Sequence, residues 1–101
     1  MPTAIVTGGA IRIGQAMALH LARKGFNIAL LYHSSGEASE NTIKEVQSHG
    51  VQCKGYAADL RNLKEAELFI GKTLKDFDDI ELLVNSAANF IQENVEQTRL
   101  E

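Results

Sequence analysis

One cysteine, one proline and no long apolar run narrow the possibilities for these 101 residues before any motif is considered. Cys53 has no second cysteine with which to close an internal disulfide, which fits a reducing compartment. No His or Cys partner is apparent for it, so it reads as a small strand hydrophobe rather than a reactive thiol. Pro2 is the only proline, and nothing in the interior marks a domain break. No apolar stretch approaches the ~20 residues of a membrane span. The start, Met1-Pro2-Thr3, carries no basic leader region, so the expectation is a cytoplasmic protein. Ten basic residues are scattered through a chain of net charge −3, which argues against a nucleic-acid groove or an anionic membrane as partner. His20, His33 and His49 have neither metal-ligand spacing nor a paired thiol or carboxylate, so no metal site is expected.

What is present is an ordinary globular composition, 45% apolar and 23% charged, sized for one domain or a piece of one. The elements alternate. Thr3–Thr7 reads as a buried strand, and Ile13–Lys24 as a helix with Ile13, Met17, Leu21 and Lys24 on one stripe and Gly25 as its stop. Asn27–Tyr32 is a second strand, whose run Ile28-Ala29-Leu30-Leu31 is too continuous for a half-exposed sheet. Ser34-Ser35-Gly36 opens a polar helix that ends near His49, with Gly50 in the stop position. Val51–Ala57 reads as a third, weaker strand. Asn62 and Glu65 have capping-box spacing at the start of a third helix, and Leu63, Ala66, Ile70, Leu74 and Phe77 give it an apolar stripe. Ile80–Val84 is the fourth strand.

Strands that alternate with helices imply a parallel sheet with right-handed crossovers and helices on both faces. The expected fold class is α/β with strand order 3-2-1-4, the first half of a doubly wound, Rossmann-like nucleotide-binding fold. Residues 1–101 would then be a partial dinucleotide-binding domain. The fourth strand, with Glu81-Leu82-Leu83-Val84, would be a bare hydrophobic edge, so the expectation is either self-association through it or a longer chain of which this is a part.

The most informative segment is Thr3 to Gly14, Thr-Ala-Ile-Val-Thr-Gly-Gly-Ala-Ile-Arg-Ile-Gly. A strand that passes through a glycine-bearing turn into a helix builds an anion site from unpaired N–H groups and the positive end of the helix dipole. The spacing Gly-x-Gly-x-x-Gly is not met by Gly8, Gly9 and Gly14, and no Gly-Lys-Ser/Thr follows. The pattern met is Thr-Gly-x-x-x-x-x-Gly at Thr7, Gly8 and Gly14, with Arg12 where a middle glycine usually stands. Together with Asp59-Leu60 after the third strand and Asn85-Ser86-Ala87-Ala88 after the fourth, this resembles the short-chain dehydrogenase/reductase family over nearly the whole chain. Within that family, Gly-Gly-Ala-Ile-Arg-Ile-Gly, Leu31-Tyr32-His33-Ser34-Ser35 and Asn89-Phe90 look like the pteridine reductase branch.

The resemblance implies a nicotinamide cofactor held by Gly8, Arg12, Ile13 and Gly14, by His33, Ser34 and Ser35, by Asp59 and Leu60, and by Asn85, Ser86 and Ala87. It implies that Arg12 lies by the cofactor phosphates and the substrate, and that Phe90 stacks on a pterin ring. A guanidinium hydrogen-bonded to phosphate contributes about 1.5–3 kcal/mol, which suits a long cation where a glycine is usual. Asp59 would accept from the adenine amino group; a turn Asp before a capped helix is the competing reading. Ser86 stands where a second Asn is usual, and Ala88 where Gly or Ser is expected.

The residues themselves speak to the choice of cofactor. NAD-preferring sites place an acid at the end of the second strand for the ribose 2′-OH, and that acid repels a 2′-phosphate. Here Tyr32-His33-Ser34-Ser35-Gly36 holds none before Glu37, which favours NADP (NADPH). Ser34 or Ser35 can also cap the second helix, and the two roles are compatible. The resemblance further implies a catalytic Tyr-x-x-x-Lys, yet Gly36 and Leu60 follow Tyr32 and Tyr56 at that spacing. No catalytic residue is therefore assigned, and activity of this chain alone is not expected. The function expected is the NADP-binding N-terminal portion of a short-chain oxidoreductase acting on dihydropterin or dihydrofolate-like substrates. The alternatives are another ketoreductase of the family (3-oxoacyl-carrier, sugar or steroid) and a non-catalytic nucleotide-binding module.

Overall fold

The computed structural model describes residues 1–8, 12–33 and 36–85. The element order is β1 (Thr3–Thr7), α1 (Arg12–Arg23), β2 (Asn27–Tyr32), α2 (Gly36–Gln47), β3 (Cys53–Ala57), α3 (Leu63–Asp76) and β4 (Ile80–Asn85). All strand pairs are parallel, and the sheet order is β3-β2-β1-β4, as the alternation of elements predicts.

Period-two alternation explains why β2 has no polar face. Ile28 and Leu30 enter one core with Ala4, Val6 and the α1 residues Ala18, Leu21 and Ala22, with Val46 of α2 against them. Ala29 and Leu31 enter a second core with Tyr56, Phe69 and Phe77, the last two brought by α3 and its C-cap. Both faces of the sheet are covered by helices, so a continuous apolar run is what the strand requires. Each buried Ile or Leu contributes about 1.5–3 kcal/mol. The two helix stops read from the sequence hold: Gly25 and Gly50 take φ values of 93° and 85°, which a side chain rarely tolerates.

Two helical faces differ from the expected stripes. In α1, Ile13 is 68% exposed, Lys24 lies past the helix end, and the buried positions are Gly14, Ala18, Leu21 and Ala22. Small residues at i, i+4 and i+8 let the helix backbone approach the sheet, and this turns the bulkier Ile13 and Met17 to the flank. In α3, Leu63, Ile70 and Leu74 are exposed, and the seam is Phe69, Thr73 and Phe77. Thr73 can be buried because its hydroxyl donates to the Phe69 carbonyl at 2.8 Å. β3 starts at Cys53 rather than Val51.

Candidate functional site

The carboxyl ends of the four strands converge on one edge of the sheet. β1 turns back to its neighbour β2, whereas the chain passes from β3 over to β4 on the other side of β1. The switch point therefore falls between β1 and β4, where ligands of open α/β sheets bind. Thr7 and Asn85 stand on its two sides in register. The Thr7 hydroxyl donates to Asn85 Oδ1 at 2.8 Å, with the Val84 carbonyl 3.4 Å away. Asn85 is thus held by a neighbouring strand.

Gly8 leaves β1 with φ 66° and donates its N–H to the Leu31 carbonyl at 2.8 Å. The left-handed turn directs the chain toward α1, and Gly supplies it without a Cβ penalty. α1 begins at Arg12 and has no acid in its first turn, unlike α2 with Glu37 and α3 with Glu65. Its first N–H groups have no partner within the helix, and no side-chain carboxylate of that turn offsets the positive dipole end. Ile13 is exposed there and Gly14 is buried. For Arg12 the backbone alone is described. Ser34, Ser35, Ser86, Ala87 and Phe90 lie outside the described residues.

The ends of β2 and β3 form the second half of the site. Tyr32 and Ala57 are in register, and the Tyr32 carbonyl accepts from Ala58 N at 3.0 Å. This brings His33 Nε2 to 3.8 Å from Asp59 Oδ2. Asp59 is also chelated by Arg61: Nε reaches Oδ1 and Nη2 reaches Oδ2, both at 3.1 Å. The Arg61 backbone N–H adds a third bond to Oδ1 at 3.0 Å. Arg61 holds the Asp59 carboxyl below the usual carboxylate range, so near neutral pH it is ionised and accepts only. Of the roughly four lone-pair positions of a carboxylate, the described contacts fill three, which leaves capacity on the Oδ2 side. An exocyclic amine fits that position. Leu60, half-buried, packs on the second core beneath it.

The turn that carries Asp59 is fixed from α3. Asn62 caps the helix by accepting from Glu65 N at 3.2 Å. The Glu65 carboxylate, which capping-box spacing aims at Asn62, instead accepts from Asp59 N at 3.0 Å. Asn62 N is already taken by the Asp59 carbonyl at 2.9 Å, so the box closes one turn further back. Sequence reading takes Thr7 only as the start of the glycine motif and Glu65 only as a capping-box partner, and it misses Arg61. Their signals, a Thr before the glycine turn and opposite charges at Asp-x-Arg spacing, acquire meaning only once the turn is folded.

The site's residues fit a dinucleotide: a helix start without acid for phosphate, an ionised acceptor for an amine, and a donor-bearing corner at His33. Two surface hollows, about 570 and 280 Å³, run along α3 between Lys64, Leu68 and Lys75 and between Gly55, Ala58 and Phe69. Neither contains Gly8, His33, Asp59 or Asn85, and topology outweighs their size. Among the described residues no cluster of three His, Cys, Asp or Glu could hold a metal, and no helix is long and apolar enough to cross a membrane. Tyr56 donates its hydroxyl to Asp76 Oδ2 at 2.8 Å and is buried, which is a packing role. Burial pushes the Cys53 thiol up to about 12, so it stays protonated.

Comparison with known proteins decides the family. Residues 2–101 match the short chain dehydrogenase family. The chain belongs to it. An uncharacterized oxidoreductase, YohF of Escherichia coli K12, is 40% identical over 84 residues, which are 83% of this chain and 33% of that protein. The 3-oxoacyl-[acyl-carrier-protein] reductase FabG of Staphylococcus aureus Mu50 is 33% identical over 85 residues, 84% of this chain and 35% of FabG. A crystal structure of NAD+-bound xylitol dehydrogenase superposes with TM-score 0.77 at 33% identity, covering 81% of this chain and 31% of that one. The chain spans about a third of the length of the relatives it matches. It is a stretch of short-chain oxidoreductase sequence with a Rossmann-like fold, in a family that binds nicotinamide dinucleotides.

Proposed function

We propose that residues 1–101 form the NADP-binding N-terminal portion of a short-chain reductase. One observation carries the choice of cofactor: the chain leaves β2 through Tyr32-His33-Ser34-Ser35-Gly36 with no acid before Glu37. A 2′-phosphate meets no carboxylate from that strand end, and a ribose 2′-OH meets no acceptor of the usual kind. Bound there, the cofactor supplies the hydride. Gly8 and the α1 start receive pyrophosphate, Asp59 accepts from the adenine amine, and Asn85, held by Thr7, lines the ribose side. A single buried Cys53 supports a cytoplasmic setting.

Titration of the chain with NADPH and NADH, followed by nicotinamide fluorescence, tests the cofactor. NADPH should bind more tightly, and replacing Ser34 and Ser35 with Ala should weaken NADPH far more than NADH. Equal losses, or tighter binding of NADH than of NADPH, remove the assignment.

For substrate, Arg12 and Phe90 support a dihydropterin or dihydrofolate-like ring, by resemblance to pteridine reductases. The FabG relative supports a 3-oxoacyl ketoreductase instead. Calorimetry of the NADPH-loaded chain with dihydrobiopterin separates them. Saturable heat abolished by Phe90→Ala supports the pterin, whereas no heat removes it.

A further inference from the structure

We propose that Arg61 sets the preference of this site for a phosphorylated ribose by cancelling the charge of Asp59. The inference rests on the NADP reading above and concerns a residue outside the usual phosphate contacts. His33 and Asp59 terminate neighbouring strands, with Nε2 and Oδ2 3.8 Å apart. A 2′-phosphate received at the His33 corner therefore comes close to the Asp59 carboxylate. Glu65 adds a second carboxylate, held on the Asp59 N–H. Uncompensated, this pair repels a phosphate dianion much as an acid at the end of β2 does in NAD-preferring sites.

Arg61 is the guanidinium that the described contacts place against the Asp59 carboxylate. Its fork closes on both Asp59 oxygens at 3.1 Å while its backbone N–H holds Oδ1 at 3.0 Å. Lysine cannot reproduce that planar two-point contact. The guanidinium is also largely exposed, 62% of the side chain, so it is not needed to fill a core. Its geometry serves charge rather than packing. The adenine amine is common to NADH and NADPH, whereas the 2′-phosphate is not. Charge cancellation at Asp59 therefore appears in the ratio of the two affinities.

The test measures NADPH and NADH dissociation constants for the 101-residue chain and three variants, with circular dichroism melts to confirm folding. In Arg61→Ala the NADPH-to-NADH preference should fall about tenfold, which corresponds to about 1.4 kcal/mol. Arg61→Lys should fall between Ala and the parent. Asp59→Asn/Arg61→Ala should recover the parental ratio, although both affinities drop with the adenine contact. An unchanged ratio in Arg61→Ala, or an equal fall in the Asp59→Asn background, overturns the inference. A parent chain that prefers NADH overturns the NADP reading separately, and the Arg61→Ala ratio must still shift toward NADH.

Discussion

Glu65 reaches back from the first turn of α3 and accepts the Asp59 backbone N–H at 3.0 Å. Thus a helix on one face of the sheet positions the carboxylate at the end of β3. Three of four linked groups in this turn, Asp59, Arg61 and Glu65, are charged, and the fourth, Asn62, is the cap. Replacing Glu65 with Ala frees the Asp59 N–H and loosens the turn. We expect a stability loss of about 1 kcal/mol, the net worth of one partly exposed hydrogen bond, and a weaker affinity for both NADH and NADPH. Asn62→Ala should cost a similar ~1 kcal/mol through the lost cap but leave the Glu65–Asp59 bond in place. Urea melts paired with dinucleotide titrations distinguish them: stability falls in both, affinity mainly in Glu65→Ala.

Space at Gly55 is limited by its neighbours rather than by its backbone. A Cβ built there would stand 2.5 Å from Ile43 Cδ1 of α2 and 3.0 Å from Tyr32 Cε1 of β2. The Ile43 tip can rotate away, whereas the Tyr32 ring on the adjoining strand has less room. Gly55→Ala should therefore be tolerated with a small loss, and Gly55→Val should cost about 1–3 kcal/mol as an overpacked contact. Because Tyr32 immediately precedes His33, the Val variant should also weaken dinucleotide binding. Thermal melts of the two variants, compared with their binding curves, check both expectations.

The strands were legible because their chemistry is redundant: Ile28 to Leu31 is apolar at every position, and both sheet faces are in fact covered. Helix faces were less so, for a physical reason. Gly14, Ala18 and Ala22 carry little hydrophobicity, yet they mark where α1 comes nearest the sheet, and Thr73 hides its hydroxyl in its own helix. Counting apolar residues therefore favoured Ile13 and Leu74, which lie exposed. In the site, His33, Asp59 and Asn85 could be found from strand ends alone. Arg61 and Glu65 could not, since their roles depend on a turn that folds two charges onto one backbone segment.

The acid stability of the fold should depend on Asp76. It accepts from Tyr56 and pairs with Lys54 Nζ at 3.5 Å, and Tyr56 foremost, then Lys54, hold its carboxyl below the usual range. A group whose folded value is depressed contributes stability above its unfolded value, near 3.9, and loses that contribution as pH falls through the folded one. Tyr56 runs the opposite way. Burial first, and Asp76 second, raise its hydroxyl, so its contribution is intact below about pH 10 and is lost as pH rises further. Urea midpoints should therefore be flat from about pH 5 to about pH 8, above which Cys53, whose thiol burial also raises, begins to add to the alkaline decline. Asp76→Asn should shallow the acid limb, to which Asp59 also contributes, and Tyr56→Phe should shallow both limbs.

β4 ends the sheet with its outer edge unpaired among the described residues, and Leu83 on it is 64% exposed. An apolar strand edge of this kind pairs with another when concentration allows. Asp79 and Glu81 are the charges placed against that outcome, and the Asp79 carboxylate holds the Glu81 carboxyl above its ordinary range. Glu81 therefore neutralises at a higher pH than a solitary Glu, and the repulsion between two edges fades as the solution is acidified. We expect the chain to self-associate with rising concentration and more strongly near pH 5 than at pH 8. Leu83→Lys should suppress association at both values, because a lysine on an edge strand opposes pairing without touching either core. Sedimentation velocity across a concentration series checks this. A single monomer species throughout, at both pH values, would show that this edge is already protected.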